Sequence, residues 1–439
     1  MSDKLMKNMK VKHVLMIAAV LLAMLAVPVS ADETVVTYTP TERYNLVIPE
    51  GMTVGTAGDI GIEGLLQDYS QVTISVSSGN DWQLKLASGK GGLGYALTWT
   101  ENNNQMSMDA DGDLMTVKAD EIAGTDNQKM VISATAALKE GVKAKYQGDH
   151  TDLLTFTATE VVFTPVDDAT ELSTAISEGK DVILTEDITV TSTLTVPNGA
   201  TLTLDLNGND LSYAVTNSGA SAIIVINPTG DLTITGEGTI SFTASNPDTQ
   251  EIPGYATNTI TCEGTLTIGE GVTVENHSEG GASYAVDAKG VFTLDGGTLI
   301  GERCALRIAK YNQDDVQFTM NSGTVTAATP AWIQLPGSDA AVAPKITVTI
   351  NGGTFQSTKE SSADNNVLYT YSYGNSHANT KITITGGNFL GGTVSIGSGY
   401  KGDAPDLTIT GGIFEYDVLQ WLEGDTSDVL YSANNQQNP

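Results

Sequence analysis

The chain is short of cysteine and of basic residues, and each shortage excludes a class of protein. Two cysteines, Cys262 and Cys304, are too few to staple 439 residues with disulfides, so we expect two small buried apolar side chains. Lysine and arginine total 21 against 52 aspartates and glutamates, which gives a formal charge of −31 at pH 7. Such a surface repels phosphate backbones, and we therefore expect no nucleic-acid partner.

An almost uninterrupted apolar run occurs at the N-terminus, at residues 14–27. Four lysines precede it, and the small residues at 28–31 are typical of a signal-peptidase site. The run is shorter than the roughly 20 residues of a membrane-spanning helix. We therefore expect residues 1–31 to be a signal peptide cleaved after Ala31, with a retained membrane anchor as the alternative.

Cleavage would remove four lysines and one aspartate, a net charge of +3, and would take the chain from −31 to −34. We expect no membrane insertion after cleavage and an extracellular protein that is secreted or held at the cell surface. Helical periodicity is almost absent beyond the signal. Glycine, threonine, valine, isoleucine, asparagine and aspartate are plentiful, which is typical of many short strands joined by tight turns.

Alternating strand patterns fill the first half of the expected mature chain, at 44–48, 71–76, 82–86, 95–99 and 153–157. Turn-forming stretches separate them, with no helical segment between. Strands at this spacing predict an antiparallel β-sandwich of the Ig-like type over residues 32–163.

Three stretches of this region resemble, in order, a domain common in surface proteins of Gram-positive bacteria. Residues 44–49 match its Y-x-L-x-I-P strand, 74–84 match V-x-V-S-S-x-N-x-W-x-L with isoleucine for the first valine, and 152–157 match D-x-L-T-F-T. The resemblance implies a non-catalytic sandwich that spaces or presents another domain.

An acidic cluster within this region approximates the spacing of a calcium loop: Asp109, Asp111, Asp113 and Asp120. Gly112 stands at the fourth position of that loop, whereas the sharp bend of a calcium loop needs glycine at the sixth. The flanking residues read as two strands joined by an Ala-Asp-Gly-Asp turn. We expect a hairpin here and no cofactor, with calcium as the alternative.

The second half repeats a short strand that ends in a glycine-rich turn, at intervals of 25 to 34 residues. Eight copies occur, at 202–204, 232–234, 266–268, 292–294, 318–320, 348–350, 382–384 and 407–409. Each period holds about three short strands, too few to bury a core alone, so successive periods must stack. We therefore expect a right-handed parallel β-helix over 164–417, with a leucine-rich or propeller array as the alternative.

Both ends of this solenoid carry candidate caps. Residues 170–176 predict a short amphipathic helix over the first coil, and the apolar residues of 418–422 open a C-terminal cap and tail at 418–439. The expected fold class is therefore all-β, an Ig-like β-sandwich followed by a parallel β-helix.

The repeat region resembles the pectin-lyase-like β-helices of secreted bacterial proteins. The resemblance rests on residues 188–208 and on G-G-x-F units that end at Phe355, Phe389 and Phe414. It implies the fold but not an activity, because that superfamily includes lyases, hydrolases, adhesins and inert stalks.

Outward positions of neighbouring coils supply the candidate site. Alignment of the turn glycines places five residues in one row, namely Thr261, Asp287, Arg307, Gln334 and Tyr371, with Trp332, Tyr369 and Tyr373 close to it. Aromatic faces stack on pyranose rings, and the polar side chains reach sugar hydroxyls. The candidate ligand-binding set is therefore Asp287, Arg307, Trp332, Gln334, Tyr369 and Tyr371. The alternative is an ordinary exposed polar ladder with a cross-coil Asp287–Arg307 pair.

No catalytic motif accompanies these residues. Asp314 and Asp315 resemble a hydrolase acid pair, but they stand in a turn where aspartate is favoured in any case. We therefore expect a non-catalytic protein of adhesion or carbohydrate binding, whose partner is a glycan or a surface protein of a host or neighbouring cell. A polysaccharide lyase or glycoside hydrolase acting on acidic glycans, and a passive envelope protein, remain the alternatives.

Overall fold

A computed structural model of the chain describes residues 19–21, 34–38, 44–101, 103–123, 125, 128–215, 222–244, 258–278, 283–309, 315–335, 345–362, 365–372, 380–396, 406–418, 422 and 428–431. The chain divides into two compact units, residues 1–163 and 164–439. None of the helices in these ranges is long and apolar enough to cross a membrane. The described residues are all-β apart from two short helices, Ala119–Ala123 and Ala169–Ser177.

The first unit consists of two sheets. One contains, in spatial order, Ala19–Leu21, Thr34–Tyr38, Leu154–Val162, Ser70–Ser78 and Gly112–Lys118. The other contains Tyr44–Val47, Ala57–Gly64, Lys129–Leu138, Leu93–Glu101 and Gln83–Leu84, and Asn104–Met108 also pairs with Leu93–Glu101. Among the described strands of this unit, all pairings are antiparallel except that of Thr34–Tyr38 with Leu154–Val162.

One apolar core joins the two sheets, because alternate residues of each strand face it. Val72 and Ile74 come from the first sheet, and Tyr95 and Leu97 come from the second. The described part of residues 1–31 forms one short strand, Ala19–Leu21, and the rest of the expected signal lies outside the described residues.

The two strands around the acidic cluster do not form the expected hairpin. Asn104–Met108 pairs in one sheet, whereas Gly112–Lys118 pairs with Ser70–Ser78 in the other. The Ala-Asp-Gly-Asp turn therefore carries the chain from one sheet to the other. A hairpin and a crossing between sheets share the same local pattern of strand, turn and strand, so the sequence alone did not separate them.

Each carboxylate of this turn has a partner within the first unit. Asp109 pairs with Lys139 at 2.5 Å, Asp113 accepts from Ser75 Oγ at 2.6 Å, and Asp111 accepts from Trp82 Nε1 at 2.9 Å. These contacts point the carboxylates toward three different neighbours, which is a structural use of the acidic cluster.

The second unit consists of three ladders of parallel strands. Ladder 1 contains Thr164–Val166, Val182–Leu184, Thr201–Asp205, Asp231–Thr235, Thr265–Gly269, the first part of Val291–Gly301, the first part of Val316–Ala327, Ile346–Ile350, Thr380–Ile384 and Asp406–Ile409. Ladder 2 contains Ile188–Thr189, Leu211–Val215, Gly238–Ala244, Val272–Asn276, the ends of the two long strands, Thr354–Ser357, Asn388–Leu390, Gly411–Phe414 and Asp428–Tyr431.

Ladder 3 contains Leu194–Val196, Ala222–Ile226, Asn258–Cys262, Tyr284–Ala288, Leu306–Ala309, Ala331–Leu335, Asn366–Ser372 and Thr393–Ile396. Each complete coil thus contributes one strand to each ladder, as the repeat length predicts. This arrangement of long parallel sheets is compatible with a β-helix.

The repeats stack in register on ladder 1. The threonine in the middle of each repeated strand pairs with its copy on the next coil, in the order Thr203, Thr233, Thr267, Thr293, Thr319, Thr349, Thr383 and Thr408. The apolar residues on either side of each threonine point inward and are buried. A β-branched polar residue suits this half-exposed outer row, which explains why threonine recurs there.

The G-G-x-F units place their phenylalanines inside the coils of ladder 2. The rings of Phe355, Phe389 and Phe414 stack at centroid distances of 5.3 and 4.6 Å, with planes within 5° of parallel. Glycine is required at the preceding turn. Gly323, which occupies the equivalent turn, has φ +103°, and a Cβ there would lie 2.3 Å from the carbonyl oxygen of Gly297 on the neighbouring coil.

The N-terminal cap is a helix. Asp168 accepts from the backbone N–H groups of Thr170 and Glu171, and Ala169–Ser177 buries Leu172 and Ile176 against the first coil. At the other end Val418 is buried and Leu422 bridges to Ile409, whereas residues 419–421 lie outside the described residues.

The segment 428–431 was expected to be part of the C-terminal tail. It instead adds a parallel strand to ladder 2, since its backbone pairs with Gly411–Phe414.

Cys262 and Cys304 are free and fully buried, as expected, and burial raises the pKa of both thiols well above the ordinary value.

Candidate functional site

The candidate site lies on the outer face of ladder 3. Side chains alternate along the strands of ladder 3, so that Val286 and Ala288 point into the core while Asp287 between them points outward. The in-register row through this position contains Thr261, Asp287, Arg307, Trp332 and Tyr369. Parallel strands place consecutive members of the row about 4.8 Å apart.

Gln334 and Tyr371 belong to a different row from the one the sequence predicts. Arg307 pairs with Trp332 and not with Gln334, whose partner on the next coil is Tyr371. Register in ladder 3 follows the buried residues of each strand, and the loops between those strands and the turn glycines differ in length. A shift of two residues keeps every side chain on its own face, so the glycine alignment gave the correct face and the wrong row.

The cross-coil Asp287–Arg307 pair, which belonged to the alternative, is present, but it is buried and not exposed. Arg307 Nε donates to Asp287 Oδ1 at 2.8 Å, and its Nη2 donates to Oδ2 at 2.5 Å. Asp287 is 0% exposed and Arg307 is 8% exposed. Since both charges have left water, this bidentate pair is a fixed part of the structure and differs from the ordinary surface ladder that was the alternative.

Two other groups share the carboxylate of Asp287. Asn258 Nδ2 donates to Oδ2 at 3.2 Å and to Thr261 Oγ1 at 3.0 Å, and both residues are buried. Lys289 Nζ lies 3.5 Å from the same Oδ2 and 3.6 Å from Glu263 Oε1. The pair is thereby tied to the coil that precedes it.

Aromatic rings and guanidinium groups form a continuous cluster above this pair. The Cζ of Arg307 lies 4.4 Å from the ring centroid of Tyr284, and the Tyr284 ring meets Trp332 edge-on at 6.2 Å. The Cζ of Arg303 lies 4.8 Å from the ring centroid of Trp332. Cations over ring faces and tilted ring pairs are favourable geometries, so the cluster orients each of its members.

The side chains in and beside this cluster differ in their access to solvent. Tyr284 is buried, Trp332, Gln334 and Tyr369 are half-buried, and Arg303 is exposed. The side chain of Tyr371 lies outside the described residues, as does Tyr373 entirely. The surface available to a ligand is therefore provided by Arg303, Trp332, Gln334 and Tyr369, which we call the platform.

Sequence reasoning missed Tyr284, Arg303, Asn258 and Lys289. One signal was available for Arg303, because the chain has very few arginines and this one stands four residues before Arg307. Tyr284 gave no such signal. It lies three residues before Asp287 at the start of its strand, and only the tilt of its ring toward Trp332 brings it to the site.

The described residues offer one group of three acidic side chains close enough to share a cation, Asp167, Asp168 and Glu171, all exposed. It lies at the N-terminal cap, where Asp168 already accepts two backbone hydrogen bonds. A shared cation site formed by Asp109, Asp111 and Asp113 is not found within the same part of the chain.

Comparison of the chain with protein-family models, with curated proteins and with solved structures finds no match.

Proposed function

We propose that the protein binds a carbohydrate, without catalysis, at the platform on ladder 3. The observation that carries the proposal is the position of Trp332 and Tyr369, two half-buried rings on neighbouring coils in the same register. Rings carried at paired positions of adjacent strands, whose backbones lie about 4.8 Å apart, suit the apolar faces of a sugar, and Gln334 and Arg303 stand beside them as hydrogen-bonding groups.

The proposal extends to the fold. The second unit would be a right-handed parallel β-helix of the pectin-lyase-like type, because three parallel ladders accompany the G-G-x-F units and the capping helix. The first unit would be an Ig-like sandwich that spaces or docks it. Export by the N-terminal segment would make the protein secreted or surface-associated and bring the platform to extracellular glycans.

Burial of Asp287 supports binding over catalysis. A glycosidase requires two carboxylates that reach the scissile bond, and a lyase requires a basic group free to take a proton. Asp287 has no exposed surface, and its oxygens already accept from Arg307 and Asn258. The buried charges therefore serve the structure of the face.

A glycan array read over time tests the proposal. Spots that appear and persist are the expected result, and Trp332→Ala and Tyr369→Ala should each weaken binding roughly tenfold, equivalent to about 1.4 kcal/mol. Tyr146→Ala is the matched control, because Tyr146 is a 52% exposed tyrosine of the first unit. Spots that fade would reveal cleavage and favour a lyase or hydrolase, and a blank array would refute carbohydrate binding.

A further inference from the structure

The buried Asp287 cannot touch a ligand at the platform, yet it is connected to the platform by a chain of direct contacts. Its carboxylate holds both Nε and Nη2 of Arg307, which fixes the plane of the guanidinium. That guanidinium lies 4.4 Å from the centroid of Tyr284, and Tyr284 in turn meets Trp332 at an interplanar angle of 64°.

We infer that Asp287 is a positioning residue, which sets the orientation of Trp332 through Arg307 and Tyr284. The inference deepens the proposed function and rests on it as far as ligand binding is concerned. It assigns Asp287 and Arg307 to the support of the platform, whereas their polar side chains alone would suggest direct contact with a sugar.

The chemistry of the pair explains why a carboxylate is needed. Arg307 is nearly withdrawn from water, and a desolvated guanidinium is retained only where an opposite charge and hydrogen-bond acceptors meet it. Asn258 Nδ2 approaches Oδ2 at 3.2 Å, so the carboxylate is itself held on a second side. Loss of its charge would release the Arg307 guanidinium toward water and remove the cation from the face of Tyr284.

The test compares Asp287→Asn with Asp315→Asn. The first substitution keeps the shape of the side chain and removes its charge. The second changes an exposed aspartate whose Oδ1 accepts from Lys345 N across coils, at 3.0 Å, and so serves as a carboxylate control in the same unit. Protein labelled with 5-fluorotryptophan reports the surroundings of Trp332 by ¹⁹F NMR, and Trp332→Phe identifies its resonance among those of the four tryptophans.

We expect Asp287→Asn to move the Trp332 resonance and to weaken glycan binding roughly tenfold, while Asp315→Asn changes neither. Asn258→Ala removes the hydrogen bonds to Asp287 and Thr261 and leaves the charge pair in place, so it should cause a smaller movement in the same direction. This milder variant keeps the test valid if Asp287→Asn fails to fold.

The outcomes separate the inference from the function on which it rests. A wild-type protein that binds no glycan refutes the proposed function, while the fluorine resonance still tests the positioning. An unmoved Trp332 resonance in folded Asp287→Asn or Asn258→Ala overturns the inference. A moved resonance with unchanged glycan affinity also overturns it, because Asp287 would then orient the ring without consequence for binding.

Discussion

Two buried carboxylates, Asp152 in the first unit and Asp287 in the second, are held by different kinds of hydrogen-bond donor. In the first unit Asp152, 1% exposed, accepts from Ser78 Oγ at 2.6 Å, from Tyr95 OH at 2.7 Å and from Leu153 N at 2.7 Å. In the second unit Asp287 accepts from the Arg307 guanidinium and from an amide. The hydrogen-bond donors described for Asp152 are all neutral, whereas those of Asp287 include a cation.

The difference follows from what each carboxylate connects. The same Ser78 hydroxyl accepts from Trp82 N at 2.6 Å, and Asp81 and Trp82 both have positive φ values, of 56° and 57°. Asp152 therefore fixes a strained turn together with strands of both sheets. Asp287 instead connects three successive coils of ladder 3 beneath a set of aromatic rings. Neutral donors suffice to fix a turn, whereas the plane of a buried guanidinium requires a charge.

The largest expected effect comes from breaking the charged network on one side only. Arg307→Ala leaves the Asp287 charge buried without its bidentate partner, which costs about 3–5 kcal/mol of folding free energy. Hydrogen exchange followed by mass spectrometry checks this, because peptides from 283–309 should lose protection while those from 70–101 keep theirs. Equal loss in both regions would mean that the effect is not local to ladder 3.

The corresponding change in the neutral network should be smaller. Asp152→Ala leaves the Ser78 and Tyr95 hydroxyls and the Leu153 N–H without their acceptor, at a cost of about 2–3 kcal/mol. The same hydrogen-exchange measurement should now show lost protection at 70–101 and none at 283–309. If Asp152→Ala lost more folding free energy than Arg307→Ala, the charged network would not be the more important of the two.

Much of this architecture could be predicted from the sequence, because it depends on short-range patterns. The threonine repeats and G-G-x-F units predict stacked coils, and the structure stacks them in register. The hairpin predicted at 109–113 was wrong, because the two strands pair with distant strands in different sheets, and local sequence does not show which distant strand each one meets. At the candidate site, strand alternation predicts that Asp287 points outward. The row to which Gln334 and Tyr371 belong and the burial of Asp287 depend on contacts between coils, which local sequence does not show.

A pH dependence distinguishes the neutral network further. Burial and then the Asp152 carboxylate raise the pKa of Tyr95 above its ordinary value of 10.0. A raised pKa means that the folded state favours the protonated phenol, so this stability is complete below about pH 10 and is lost as the pH rises. Tyr95→Phe removes one hydrogen bond and should cost about 1 kcal/mol at neutral pH.

The quantity to follow is the difference in the free energy of unfolding between wild type and Tyr95→Phe. It should shrink at alkaline pH, where the unfolded tyrosine ionises and the buried one resists ionisation. Urea unfolding at pH 7 and at pH 10.5, monitored by tryptophan fluorescence, gives this difference directly. If this difference in unfolding free energy grows as the pH rises, the direction of the Tyr95 pKa shift is contradicted.

The smallest expected effect on stability comes from removing both charges at once. Replacing Asp287 by leucine and Arg307 by methionine leaves no unpaired ion, and burial of two apolar side chains compensates for the lost pair, so the double variant should fold within about 1 kcal/mol of wild type. Glycan affinity should nevertheless fall as it does in Asp287→Asn, because no cation then lies against Tyr284. If the double variant matches wild type in both unfolding free energy and glycan affinity, apolar packing alone orients the platform. If it matches wild type in unfolding free energy but binds glycan more weakly, the charges are retained in ladder 3 for the orientation of Trp332.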